Sequence, residues 1–346
     1  MPLYPQGVAF PLGNIPQSHR NILGRNGGFE VWQRGAGNNA SFGLPPNTMQ
    51  YTADGWWFAC GTNQQSIASR GGGLVDGSWS SGIFFRNPGQ TGVGQYWLEY
   101  PLDTDEIAQA QNKFVTLSLT AGGGADFSPG GGLVYAFLYT GTGAPVRRFG
   151  GAYTGEIMPI NAAPMNVPRS TVARFTFTSS VVVPKATTQA SLALLWTPVG
   201  TAGANDYLVL DDVQLEVGSV ATPFERRPFE SELLACMRHY EKTFNYAQAP
   251  AQGTGTATGA LFTNRSYGTN AVCSSHWSFK VTKRITPTVI TYNPAVANAN
   301  YRNGAGTGDY TVNPSNVNEQ RITLETLPTT VASDLGYIHA SADAGI

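Results

Sequence analysis

The chain has 346 residues, with 21 Lys and Arg against 22 Asp and Glu, a net charge of −1, and charged residues at only 12%. Glycine (41) and proline (22) are abundant while aromatics hold at 11%, which excludes both the charged, aromatic-poor chains that stay disordered and the cation-rich chains that bind nucleic acid. No run of about 18 apolar residues offers a membrane-inserting helix, and the odd, widely spaced Cys60, Cys236 and Cys273 suit neither zinc nor a disulfide framework.

Residues 1–20 carry Pro2, Pro5, Pro11 and Pro16 and show no amphipathic period. Two readings stand for them: a disordered tail, or an extended arm laid on a partner through Leu3, Tyr4, Val8, Phe10 and Ile15. From residue 21 to 227 the signal is period-two alternation, the mark of half-buried strands. Val115, Leu117 and Leu119 alternate with Thr116, Ser118 and Thr120; Tyr135, Phe137 and Tyr139 share one face. Leu192, Leu194 and Trp196 share another, and Val209, Val213 and Leu215 close the series. One short helix is expected over residues 103–111. About nine strands with glycine-rich separators and no intervening helices predict an antiparallel β-sandwich of jelly-roll type.

The pattern changes at Pro228. Phe229, Leu233, Met237, Tyr240 and Phe244 fall on one helical face, with Glu230 and Glu232 in the first turn and Lys242 near the end, each suiting the helix dipole. Residues 247–259 read as a loop or a weak strand; alternation then returns at Trp277, Phe279 and Val281, over 289–292, at Ile322 and Leu324, and at Leu335 and Tyr337. The expected chain is therefore mainly β: an arm (1–20), a jelly roll (21–227) and a smaller β-rich domain opened by one α-helix (228–346).

Three groups of segments carry a resemblance. The first is NILGRNGGFEVWQRG at 21–35 with YTADGWWF at 51–58; the second is YLVLDDVQLEVG at 207–218 with ATPFERRP at 221–228. The third is CMRHYEK at 236–242, with residues 279–289 and the closing ASADA at 340–344. In this order they resemble tail-fibre and receptor-binding proteins of phages and of gene transfer agents, and the N-terminal half is similar to jelly-roll carbohydrate-binding modules. The resemblance implies a virion-surface adhesin, assembled in the bacterial cytoplasm, that recognises a host surface glycan. Residues 1–20 would attach it to other virion proteins. Avidity logic adds a homo-oligomer, a trimer as in fibres or a pentamer at a capsid vertex. There is no coiled-coil heptad and no collagen-like repeat, so a short spike fits as well as a fibre tip.

Sugar binding needs flat aromatic faces flanked by planar polar groups. The candidates are Trp56, Trp57, Trp79, Trp97 and Tyr139, with Tyr135 and Trp196 beside them, although sandwich aromatics are more often core. Trp56 and Trp57 are adjacent and must point to opposite faces of a strand, one inward and one outward. The carbohydrate-module resemblance also implies a structural calcium at Glu30, Asp211 and Asp212; the competing reading pairs these carboxylates with arginines such as Arg25 or Arg34. Catalysis has little to rest on. The four histidines show no metal-ligand spacing, and the nucleophile elbow and phosphate-binding loop are missing. Asp103, Asp105 and Glu106 form one acidic cluster, which a helix N-terminus explains. The expectation is a non-enzymatic protein, with a capsule depolymerase and a purely structural decoration protein as the rival readings.

Overall fold

The computed structural model describes residues 20–62, 65–73, 80–263, 273–304, 308–326 and 335–346, so the arm expected at 1–20 falls, but for Arg20, outside the described residues. The first half supplies twelve strands rather than nine: β1 (Ser41–Leu44), β2 (Met49–Tyr51), β3 (Trp57–Ala59), β4 (Ser66–Gly71), β5 (Ser81–Arg86), β6 (Tyr96–Leu102), β7 (Val115–Gly123), β8 (Leu133–Thr142), β9 (Thr154–Asn166), β10 (Val172–Thr178), β11 (Gln189–Trp196) and β12 (Tyr207–Val217). Strands β1 to β3 have only three or four residues each, too few to show a period. Helix α1 (Thr104–Ala108) is shorter than expected and carries the Asp103/Glu106 capping box that the acidic cluster implied.

These strands form two six-stranded antiparallel sheets, ordered β1-β4-β5-β12-β7-β10 and β2-β3-β6-β11-β8-β9, the crossing order of a jelly roll. Between them lies one apolar core. Val115, Leu117 and Leu119 enter it from one sheet, and Leu192, Leu194 and Trp196 from the other. Its centre is an aromatic stack: Phe58 lies 5.5 Å from Tyr96, and Tyr96 lies 5.1 Å from Trp196, with nearly parallel rings. The recurring segment at 21–35 closes one end of the sandwich. The Asn26 side chain accepts from Val31 N at 2.9 Å and donates to the carbonyls of Val31 and Asp54, both at 2.8 Å. That bracket turns Phe29 into the core, where its ring lies 4.8 Å from Trp56.

The outer face of the first sheet is covered by the chain's own return. Thr116 Oγ1 donates to Gly218 O at 2.8 Å, and Glu216 accepts from both the backbone and the hydroxyl of Thr222 at 2.8 Å. In β12 the register shifts between Asp211 and Gln214, with Asp212 at φ 52°, so alternation through Val209, Val213 and Leu215 is broken by a bulge.

Helix α2 spans Phe229–Met237 and stops there. The expected continuation through Tyr240 to Phe244 is a strand instead, β13 (Tyr240–Lys242). Tyr240 sits at helical spacing by coincidence, and pairing with the last strand overrides it. The remaining strands are β14 (Leu261–Phe262), β15 (Cys273–Ser278), β16 (Thr288–Tyr292), β17 (Tyr301–Asn303), β18 (Asp309–Tyr310), β19 (Asn313–Ser315), β20 (Arg321–Thr326) and β21 (Gly336–Asp343). Strand β21 is the spine: it pairs with β13 and β14, and also with β16 and β17. Strands β15, β20 and β19 make a small second sheet, and Trp277, Tyr301, Ile322, Leu324 and Ile338 fill the core of this half. Residues 247–259 are turns and loop.

The two halves meet through buried polar groups. The Arg34 guanidinium is stacked over the rings of Tyr51 (3.5 Å) and Tyr240 (4.1 Å) and reaches Asp343 at 2.6 Å. Gln33 bridges Asp54 and the Tyr240 carbonyl at 3.0 Å each, and Trp32 N donates to the Tyr246 hydroxyl at 3.0 Å. The motif residues at 21–35 therefore build the junction between halves.

Candidate functional site

The strand period decides which rings face out of the second sheet. In β8, Val134, Ala136 and Leu138 enter the core, so Tyr135, Phe137 and Tyr139 project from the opposite side. In β6, Leu98 and Tyr100 point in, and Trp97 and Glu99 point out; Trp57 in β3 joins them through its pairing with Glu99. Trp97 is opposite Leu195, which is itself opposite Tyr135, so these side chains line up across three strands. The result is a contiguous apolar surface. Trp97 and Tyr139 stack at 5.9 Å, Phe137 and Tyr139 at 5.4 Å, and Trp97 meets Phe149 edge-on at 5.7 Å.

Residues 143–153 fold over part of this surface. Glu99, fully buried at its centre, accepts from Ser191 Oγ (2.5 Å), Trp97 Nε1 (3.0 Å), Phe149 N (3.1 Å) and Arg148 N. Burial pushes the Glu99 carboxyl up, and these four donors pull it back. Arg148 pairs with Glu156 and lies over the Tyr139 ring at 4.9 Å. Tyr139 is consequently only 5% exposed, while Tyr135 (36%) and Phe149 (47%) remain open to solvent.

Beside this surface the jelly roll and the C-terminal half enclose a cleft of about 610 Å³, lined by Trp57, Arg147 and Phe149 on one side and Thr286, Ile290 and Asp343 on the other. Arg147 lies 3.9 Å over the Trp57 ring. The indole Nε1 is buried with no hydrogen-bond partner among the described residues. A guanidinium and open aromatic rings are groups that hold a sugar by its hydroxyls and its apolar face.

The sequence-predicted residues divide accordingly. Trp57, Trp97 and Tyr139 lie on the outer face, and Tyr135 with them. Trp56 and Trp196 are enclosed in the core, so neither offers a face to a ligand; the outward neighbour of Trp56 is Trp57, as the strand period requires. Trp79 lies outside the described residues. Phe137 and Phe149 were missed: Phe137 was legible as the middle of the Tyr135–Tyr139 alternation, whereas Phe149 comes from a loop with no period.

Glu30, Asp211 and Asp212 do not converge into a cation cage. Asp212 is held by Arg226 at 2.7 Å, and Asp211 Oδ1 accepts from Asp212 N at 2.8 Å. The partner is thus Arg226 rather than Arg25 or Arg34, which pair with Glu106 and Asp343. These residues do not fit the oxygen-rich shell that calcium requires. Among the described residues the three ligand-type groups that do converge are Asp103, Glu106 and His239, and arginines already engage them. Arg25 reaches Glu106 at 2.9 Å and Arg284 reaches Asp103 at 3.4 Å. Burial, reinforced by Arg25, holds His239 well below the usual histidine range, so it is a neutral junction residue.

No family model matches the chain, and no curated protein matches it. Several solved structures are similar. The CBM22-1 xylan-binding domain from Paenibacillus barcinonensis Xyn10C aligns at 14% identity over 51% of this chain and 99% of its own, with a TM-score of 0.31. A family 11 carbohydrate-binding module from Clostridium thermocellum aligns at 11% over 53% and 98%, TM-score 0.29. A Stig cyclase from Fischerella sp. TAU aligns at 16% over 57% and 96%, TM-score 0.32. At such TM-scores the jelly-roll assignment rests on the strand order itself, and a binding role rests on the site.

Proposed function

We propose that this protein binds carbohydrate through the outer aromatic face of its second sheet and the adjoining cleft. One observation carries the reading: Tyr135 and Phe149 stay open to solvent on the outer face of the second sheet, at the edge of a small buried cluster of Tyr139, Tyr153, Ala193 and Leu195 against which Trp97 and Phe137 pack. Open rings at Tyr135 and Phe149, with Arg147 beside them, complement the apolar face and the hydroxyls of a pyranose.

The finer reading is a non-enzymatic surface protein of a phage or gene-transfer-agent particle, oligomeric, attached through residues 1–20 and engaging a host polysaccharide. The resemblance of residues 21–35, 207–228 and 236–242 supports it. Incubation of the purified chain with intact bacteria and with their extracted surface polysaccharide tests both levels. Retention on cells with polymer length unchanged is expected. A falling polymer length identifies a depolymerase instead, and no retention identifies a decoration protein.

A further inference from the structure

A second pocket of about 610 Å³ opens at the junction and shares no residue with the cleft at Trp57. Its walls are Glu30, Arg70, Arg227, Phe229, Glu230 and Tyr246. Glu30 is 8% exposed, yet its carboxyl has no hydrogen bond or ion pair among the described residues. Arg70 faces the same space from β4, and its Nε is buried without a partner. Arg227 is committed elsewhere, to Glu232 at 3.0 Å and to the Gly24 carbonyl at 2.9 Å. The aromatic wall is fixed: Tyr246 donates to the Glu30 carbonyl at 3.2 Å and meets Phe229 edge-on at 5.4 Å.

Among the described residues the Glu30 carboxyl has no partner and the Arg70 Nε is buried without one, and groups in this state carry a desolvation cost that a hydrogen-bonding ligand at the pocket would lessen. Burial first, and then Glu232, pushes the Glu30 carboxyl up to about 7, so near neutrality it both donates and accepts hydrogen bonds. Glu230 and Glu30 face Arg70 and Arg227, and Arg227 is already held by Glu232, so no strong excess of one sign lines the pocket, which disfavours a highly charged ligand. What remains is a compact, neutral molecule with adjacent donors and acceptors and one apolar face.

We propose that this junction pocket binds a single neutral sugar residue, its vicinal hydroxyls held between Glu30 and Arg70 and its ring against Phe229 and Tyr246. It is a site distinct from the sheet face, and the two readings fail separately.

Saturation-transfer NMR on the full chain with glucose, galactose, mannose, rhamnose and N-acetylglucosamine tests it, with acetate and methylammonium as charged probes. At least one sugar is expected to bind saturably. Arg70→Gln should weaken it by about tenfold or more, as expected for a lost hydrogen bond to a charged group, and Glu30→Gln, which mimics only the protonated carboxyl, should weaken it at pH 8, where Glu30 is ionised. The comparison is made in a Tyr135→Ala/Phe149→Ala background, so that sugar held on the sheet face does not contribute to the signal. If Glu30→Gln does not fold, Arg70→Gln, at a half-buried strand position, decides alone. The proposal is overturned if no sugar binds, if only acetate or methylammonium binds, or if sugar binding survives in every folded pocket variant. Loss of sheet-face binding alone leaves this site standing, and the reverse holds equally.

Discussion

Glu30 shows how a single side chain reads differently in sequence and in structure. The N-G-G-F-E motif placed it as a metal ligand by resemblance, whereas the fold gives it a cavity, with Arg226 and Arg70 lowering its pKa less than burial and Glu232 raise it. Its folded value of about 7 exceeds the unfolded carboxylate range of about 4.3, so the folded state retains a proton that the unfolded state releases. The sign follows directly. This group favours folding at low pH, and that contribution is lost as pH rises from the unfolded value through about 7. Glu30→Gln should therefore raise Tm more at pH 8 than at pH 5, measured by thermal melts at both. An equal Tm difference at the two pH values would contradict the assignment. Trp56 and Trp57 make the complementary case: the strand period told from sequence that they part ways, and only the paired register could tell which one is core.

At the scale of elements, the outer face depends on how residues 143–153 are tied down. Glu99 is the tie, accepting the backbone amides of Arg148 and Phe149 from beneath. Glu99→Gln keeps the volume but replaces one acceptor oxygen with a donor, which costs about 1–3 kcal/mol when buried. The amides of Arg148 and Phe149 should then exchange hydrogen at least tenfold faster, read by hydrogen-exchange mass spectrometry, while β7 exchange is unchanged. Unaltered exchange at 148–149 would mean the loop is held by other contacts. The strands that carry the sandwich were legible because Val115, Leu117 and Leu119, or Leu192, Leu194 and Trp196, alternate over enough residues to show a period. The end of α2 was not, because Tyr240 and Phe244 match helical spacing while hydrogen bonding to β21, more than 90 residues away, makes residues 240–242 a strand. Long-range pairing leaves no local trace. The same holds for the cleft, whose walls at Trp57 and at Asp343 are brought together only by the junction.

On the scale of the whole molecule, the jelly roll and the C-terminal half are tied by polar contacts that are largely buried. Arg34 engages Asp343, Gln33 the Tyr240 carbonyl, and Asp103 both His239 and Arg284 across the junction. Separating the halves would break these hydrogen bonds and ion pairs together and expose the apolar and aromatic groups packed around them. Calorimetry should accordingly show one cooperative unfolding transition, and Arg34→Ala should lower its midpoint without splitting it. Two resolved transitions in the unaltered protein would contradict a structural junction. A rigid junction also fixes the cleft at Trp57, because its two walls belong to different halves.

The central claim is that the exposed rings of the second sheet bind glycan, and Tyr135 and Phe149 allow a clean test because both are open to solvent. The measurement is affinity electrophoresis through gels carrying extracted host surface polysaccharide, comparing the unaltered chain with Tyr135→Ala/Phe149→Ala. The account predicts retardation of the unaltered chain and at least tenfold weaker retardation of the double variant, at an unchanged Tm. Equal retardation of the two proteins would contradict it, as would free migration of the unaltered chain through every polysaccharide tested.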